Sequence, residues 1–91
     1  MPLLNEDELR KQLLAEGFVH VFVWQDGPLE FYSDHAHPLH SAHIIVDGQM
    51  TLKMGGTSQT FGAGERCDVP AGAVHSAKMG PKGCRYLVGE K

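Results

Sequence analysis

The sequence predicts an all-β fold, an antiparallel sandwich or barrel, entered through one short helix. Three observations lead to it. Beyond Gly17 the chain breaks into short runs rich in β-branched and aromatic residues, separated by Gly, Pro and Asp turn signals at roughly 8–12-residue spacing. No helical periodicity lies between those runs, which argues against a parallel α/β sheet. The 91 residues, 42% hydrophobic and 21% charged, suffice for one core and show neither an internal repeat nor a low-complexity tract. The expected organisation is a single domain over residues 1–91, with a helix at 6–16 and the β-structure at 18–89.

The helix is predicted from its start signal. Asn5 is a good N-cap, Glu8 three positions on completes a capping box, and Leu9, Leu13 and Leu14 follow at helical spacing until Gly17 stops the run. It is expected to pack outside the β-structure, with Leu9 and Leu13 buried and Glu8 and Lys11 exposed. From Phe18 to Trp24 the pattern alternates, His20, Phe22 and Trp24 on one face against Val19, Val21 and Val23 on the other, until Gln25-Asp26-Gly27-Pro28 breaks it. A second run begins at Leu29–Tyr32. His43–Val46 leads into Asp47-Gly48, which predicts a two-residue hairpin with Met50–Met54 as the return strand, because both turn positions favour positive φ. Ser58–Phe61, Cys67–Val69, Val74–Lys78 and Cys84–Val88 follow, the last two separated by Gly80-Pro81-Lys82-Gly83. Seven or eight strands result.

Composition excludes several function classes. A net charge of -3 with eight scattered Lys and Arg residues provides no basic field for a phosphate backbone, so nucleic-acid binding is not expected. No apolar stretch is long enough to span a membrane, and Glu6, Asp7, Glu8 and Glu16 stand where a signal peptide would be basic and then apolar, so the expected location is cytoplasmic. Cys67 and Cys84 are expected as two unjoined, buried thiols.

Histidine is the informative residue. Of six, His35, His37, His40 and His43 fall within nine residues. On a strand, residues two apart share a face, so His35 and His37 present two imidazoles side by side, an arrangement suited to chelating a metal. Further ligands are sought in His40, His43 and the distant His75, which follows the rigid Pro70-Ala71-Gly72 turn. Neutral imidazole suits zinc, iron, copper and nickel, and leaves the metal open. His20, remote from the cluster, reads as a packed or surface residue.

These spacings form two motifs. His35-Ala36-His37, three residues, Ser41, six residues and Gly48 make the first; Gly64, five residues, Pro70-Ala71-Gly72, two residues, His75, three residues and Met79 make the second. Together they resemble the paired motifs of the cupin family, with Ser41 in place of the family's glutamate and Met79 in place of its asparagine. The resemblance implies an antiparallel jelly-roll β-barrel in which His35, His37 and His75 hold a divalent transition metal: zinc, iron, manganese, nickel or copper. Serine is a weak ligand, so at the fourth position either water or substrate enters, or a neighbouring histidine substitutes. Strand parity puts His43 on the face of Ser41 and His40 on the opposite one, so His43 ranks ahead of His40 as the fourth ligand.

The function expected from this pattern is that of a metal-binding cupin acting on a small molecule, as a metalloenzyme of dioxygenase or isomerase type. The alternative is a non-catalytic module that binds or senses a small ligand. A homodimer is expected in either case, since a chain this short buries only about 60–65% of its unfolded surface and sheet edges gain by pairing. The pocket walls are expected from Phe22, Trp24, Phe31, Tyr32, Ile45, Met50, Leu52, Cys67 and Tyr86.

Overall fold

The computed structural model describes residues 5–91. One helix and six strands follow in order: α1 (Glu6–Ala15), β1 (His20–Asp26), β2 (Phe31–His35), β3 (Ser41–Met54), β4 (Thr57–Gly62), β5 (Arg66–Val69) and β6 (His75–Glu90). The Asn5 side chain accepts hydrogen bonds from the backbone N–H of Asp7 at 3.0 Å and of Glu8 at 3.2 Å, which satisfies two of the donors a helix start leaves free. Glu6, Asp7 and Glu8 occupy the first turn, where negative charge opposes the helix dipole favourably. Glu16 is the C-cap and Gly17 follows with φ +97°, so the helix ends one residue earlier than the spacing predicts.

The spine of the fold is a long antiparallel ladder between β3 and β6, running from the Ser41–Glu90 pair to the Met54–His75 pair. Its two halves acquire different neighbours. Near Ser41, β3 pairs with β5 and β6 pairs with β1; towards Met54, β3 pairs with β4 and β6 pairs with β2. All six strands are antiparallel to their partners.

Two expected turns are bends inside continuous strands, so there are six strands where seven or eight were expected. Asp47-Gly48 closes no hairpin. The β3–β6 register shifts between Ile45 and Asp47 and again between Gly48 and Met50, while the Asp47 carboxylate accepts from the Gly48 N–H at 3.0 Å. A dipeptide that favours positive φ serves a bulge as well as a hairpin. Gly48 has φ +83°, and a Cβ there would collide with the carbonyl oxygen of Gly83, itself at φ +79° and seated against the Asp26 backbone. The 80–83 segment is likewise an irregular stretch of β6. Each bend reverses the phase of the strand: Ser41, His43 and Ile45 face inward before Gly48, whereas Met50 and Leu52 do so after it.

Two apolar layers follow from this alternation. The inner one gathers Ile45, Met50, Leu52, Val69, Met79 and Tyr86 among others, including the thiols of Cys67 and Cys84, which remain separate. The outer one packs Leu13 of α1 and Phe18 on Ala42, Ile44 and Leu87. Leu13 is fully buried, Leu9 partly so, and Glu8 and Lys11 are exposed, as the helical spacing predicts. Burying a leucine of this kind contributes about 2–3 kcal/mol. Polar ties reinforce the docking: Arg10 donates to the Val21 carbonyl at 2.8 Å, and Arg85 pairs with Glu6 at 3.0 Å. Among the described residues, no helix is long and apolar enough to cross a membrane.

Candidate metal centre

His35, His37 and His75 converge. Each offers a ligand atom, and these atoms lie within 4.8 Å of one another. The ring centroids are 4.7 Å apart for His35 and His37, 4.2 Å for His35 and His75, and 5.2 Å for His37 and His75. His35 ends β2 and His75 begins β6, directly opposite each other in the β2–β6 register. His37 lies two residues beyond the strand end, not on a strand with His35. Its place is set by the backbone: the Gly72 N–H donates to the His37 carbonyl at 2.8 Å, tying the first histidine motif to the turn that precedes His75.

The rings are also oriented. His35 Nδ1 lies 2.6 Å from the Ser33 carbonyl oxygen and His75 Nδ1 lies 2.9 Å from that of Ala73. A carbonyl only accepts, so each Nδ1 carries the proton and each Nε2 keeps a free lone pair. Metal-binding histidines are held in this way, by a bond from the other ring nitrogen. Burial, with the neighbouring His35 and His75 imidazoles, pushes the pKa of His37 below the ordinary histidine value, which favours the neutral, ligating form. The donor set therefore fits a borderline or late first-row transition metal.

The cluster sits in the wall of a cavity of about 350 Å³ that opens into the inner layer. Phe22, Trp24, Tyr32, Met50, Leu52 and Tyr86 line it as parity predicts. Phe31 instead points outward and is exposed, and Ile45 and Cys67 are packed into the core. Ala77, Met79, Val88 and the carboxylate-bearing Glu90 also line the cavity. Ala77 and Met79 share the parity of His75, and Val88 shares that of Tyr86, so the same alternation on either side of residues 80–83 turns them inward.

His43 and Ser41 line the same cavity from β3, outside the group of three. Ser41 Oγ and His43 Nδ1 are buried and have no hydrogen-bond partner. Burial pushes His43 down to about 4, offset in part by the Cys67 backbone, so its ring is neutral at ordinary pH. His40 is not brought to the cavity. Its Nε2 lies 3.0 Å from Asp68 Oδ2 and its ring rests 5.8 Å from that of Phe18, in the outer layer.

Asp26 was read as a turn residue and is instead a buried anchor. Its Oδ1 accepts from Trp24 Nε1 at 3.0 Å and from the Tyr32 hydroxyl at 2.5 Å, and its Oδ2 accepts from the Tyr86 hydroxyl at 2.7 Å. Three aromatic walls of the cavity are thus fixed by one carboxylate. Burial first, and then that carboxylate, raise the pKa of both tyrosines, so their hydroxyls stay protonated. Nothing in the Gln25-Asp26-Gly27-Pro28 segment distinguishes such an anchor from a turn aspartate.

No family model matches the chain, and no curated protein matches it. Solved structures do. A cupin superfamily protein from Desulfitobacterium hafniense superposes with a TM-score of 0.71 at 15% identity, covering 81% of this chain and 67% of that one. An RmlC-like cupin from Shewanella frigidimarina gives 0.69 at 20% identity, covering 77% and 62%. The fold is the cupin fold. The DMSP lyase DddQ from Ruegeria pomeroyi shares it, with a TM-score of 0.71 and 22% identity over 78% of this chain. The chain spans only 36% of that lyase and about two thirds of the other two proteins. On the cupin fold, the first motif supplies the end of β2 and the start of β3, and the second supplies the turn into β6.

Proposed function

We propose that this chain is a metal-dependent cupin that binds a small, largely apolar molecule beside a divalent transition metal held by His35, His37 and His75. The observation that carries the reading is the convergence of three imidazoles, two of them with Nδ1 committed to backbone carbonyls, at the wall of an apolar cavity. Zinc, iron, manganese, nickel or copper would meet this donor set. When bound, such an ion supplies Lewis acidity and open positions for an oxygen-bearing ligand. The protein's own part is to bring three imidazoles to one point, two of them with Nε2 freed by the bonds at Nδ1, to exclude water with the aromatic walls, and to hold those walls through Asp26. His43 supports the reading as a wall residue of the same cavity and is the proposed fourth ligand; His40 is engaged by Asp68 instead.

Chemistry of dioxygenase or isomerase type is the enzymatic form of this proposal, and the DMSP lyases among the similar structures are cupin-fold proteins acting on a small molecule. The non-catalytic form draws support from the two tyrosines, which are held protonated and therefore make poor bases. Oxygen uptake and product formation on a panel of small diketones, thiols and catechols, with the metal-loaded protein, separate the two: turnover that disappears in His75→Ala marks an enzyme, and saturable binding without turnover marks a binder. We further propose a homodimer through the β1–β2 side, where Trp24 and Phe31 are half or more exposed. Sedimentation equilibrium of the wild type and Phe31→Ser tests it, a weaker dimer being expected in the variant.

A further inference from the structure

Ser41 and His43 stand two residues apart on the inner face of β3 and both line the cavity. Ser41 retains only 3% of its surface, and its Oγ and the His43 Nδ1 are buried without any hydrogen-bond partner. Among the described residues these are the buried side-chain polar atoms left in that state. A buried donor or acceptor without a partner costs free energy, and native proteins leave few of them. Two on one strand face, in the wall of one cavity, mark a place where a ligand supplies what the protein does not.

We propose that Ser41 and His43 form a subsite for the hydroxyl or carboxamide group of an uncharged ligand whose apolar body fills the cavity. The proposal rests on the small-molecule reading above but needs no metal. Each partner is ambivalent, since a serine hydroxyl rotates and a neutral imidazole nitrogen donates or accepts according to its tautomer. A group that itself both donates and accepts suits such a pair. A carboxylate is disfavoured, because no Lys or Arg lines the cavity and Glu90, paired with Ser41 across the ladder, brings a negative charge to the same end. Glu90 offers an ammonium ion one carboxylate, but such an ion would have to leave water for a wall that is otherwise largely apolar.

The test uses four molecules with the same ring, namely benzyl alcohol, toluene, benzoate and benzylamine, titrated into the full chain freed of metal with EDTA and followed by amide chemical shifts. Benzyl alcohol should bind at least tenfold tighter than each of the other three. In Ser41→Ala and in His43→Phe the preference for benzyl alcohol over toluene, measured within each variant, should fall below about threefold, with the dispersed spectrum of a folded protein retained. Toluene binding as tightly as benzyl alcohol, a preference that survives Ser41→Ala, tighter binding of benzoate or benzylamine, or no saturable binding of benzyl alcohol would each overturn the proposal. Metal content, measured on the same preparations, stands apart: wild type and Ser41→Ala should take up metal equally, and a protein that binds the alcohol but no metal would contradict the metal reading alone.

Discussion

The two faces of the β3–β6 ladder are built from adjacent residues and carry opposite electrostatics. On the outer face His40 faces Asp68 at 3.0 Å, and Arg66 reaches Asp68 at 2.7 Å and Glu16 at 2.8 Å. On the inner face, one residue away from His40, Ser41 keeps a buried hydroxyl with no partner, and His43 does the same with a ring nitrogen. The outer groups are partly exposed and paired near the surface, an arrangement worth little in water. The inner groups are buried and left open, next to three imidazoles that crowd one point. Violations of the rule that buried polar groups are satisfied concentrate where a protein binds something, and among the described residues they lie on the cavity side.

The largest effect that sharpens this contrast comes from metal. At a thousandfold excess over Kd, an ion binding only the folded state adds about 4 kcal/mol, which for a chain of this size raises Tm by roughly 15–30 °C. Thermal unfolding with and without added zinc should show that gain in the wild type and in His40→Ala, and none in His75→Ala.

Acid should distinguish the faces next. The folded-state pKa of His43 lies at about 4, below the ordinary value near 6.5, so between those limits the unfolded chain binds a proton that the folded chain refuses. Stability from this group is complete above pH 6.5 and is lost as pH falls towards 4, by roughly 3 kcal/mol in total. Urea unfolding of metal-free protein at pH 7.5 and pH 4.5 should show the loss in the wild type and a markedly smaller one in His43→Phe. Equal losses in both would place the acid sensitivity elsewhere.

Asp26→Ala strips the partner from two tyrosine hydroxyls and an indole N–H, and since only Tyr86 among these residues is buried, the expected cost is about 2 kcal/mol. A change below about 0.5 kcal/mol in urea unfolding would show that the network orders nothing. Smallest of all, His40→Gln on the outer face should alter stability by less than about 1 kcal/mol, as exposed pairs do.

Much of the site was legible before the fold was known, for local reasons. The His35-Ala36-His37 spacing and the turn ahead of His75 need only short-range geometry, and strand parity alone sorts Ser41 and His43 inward and His40 outward. The bends were not legible. Positive φ at Gly48 is compatible with a hairpin or a bulge, and the contact with Gly83 that decides between them lies 35 positions away in sequence. Met79 and Val88 were absent from the expected walls although they share the parity of His75 and Tyr86 on their own sides of the bend. Asp26 was hidden as the bend was, since its partners Tyr32 and Tyr86 come from two other strands.

The central claim, that His35, His37 and His75 hold a transition metal, is tested most directly by elemental analysis of untagged protein purified without added metal, in the wild type, His75→Ala and His40→Ala. About one equivalent of a single transition metal is expected in the wild type and His40→Ala, and less than about a tenth of that in His75→Ala. Equal content in the wild type and His75→Ala, or no metal in either even after loading, would contradict it.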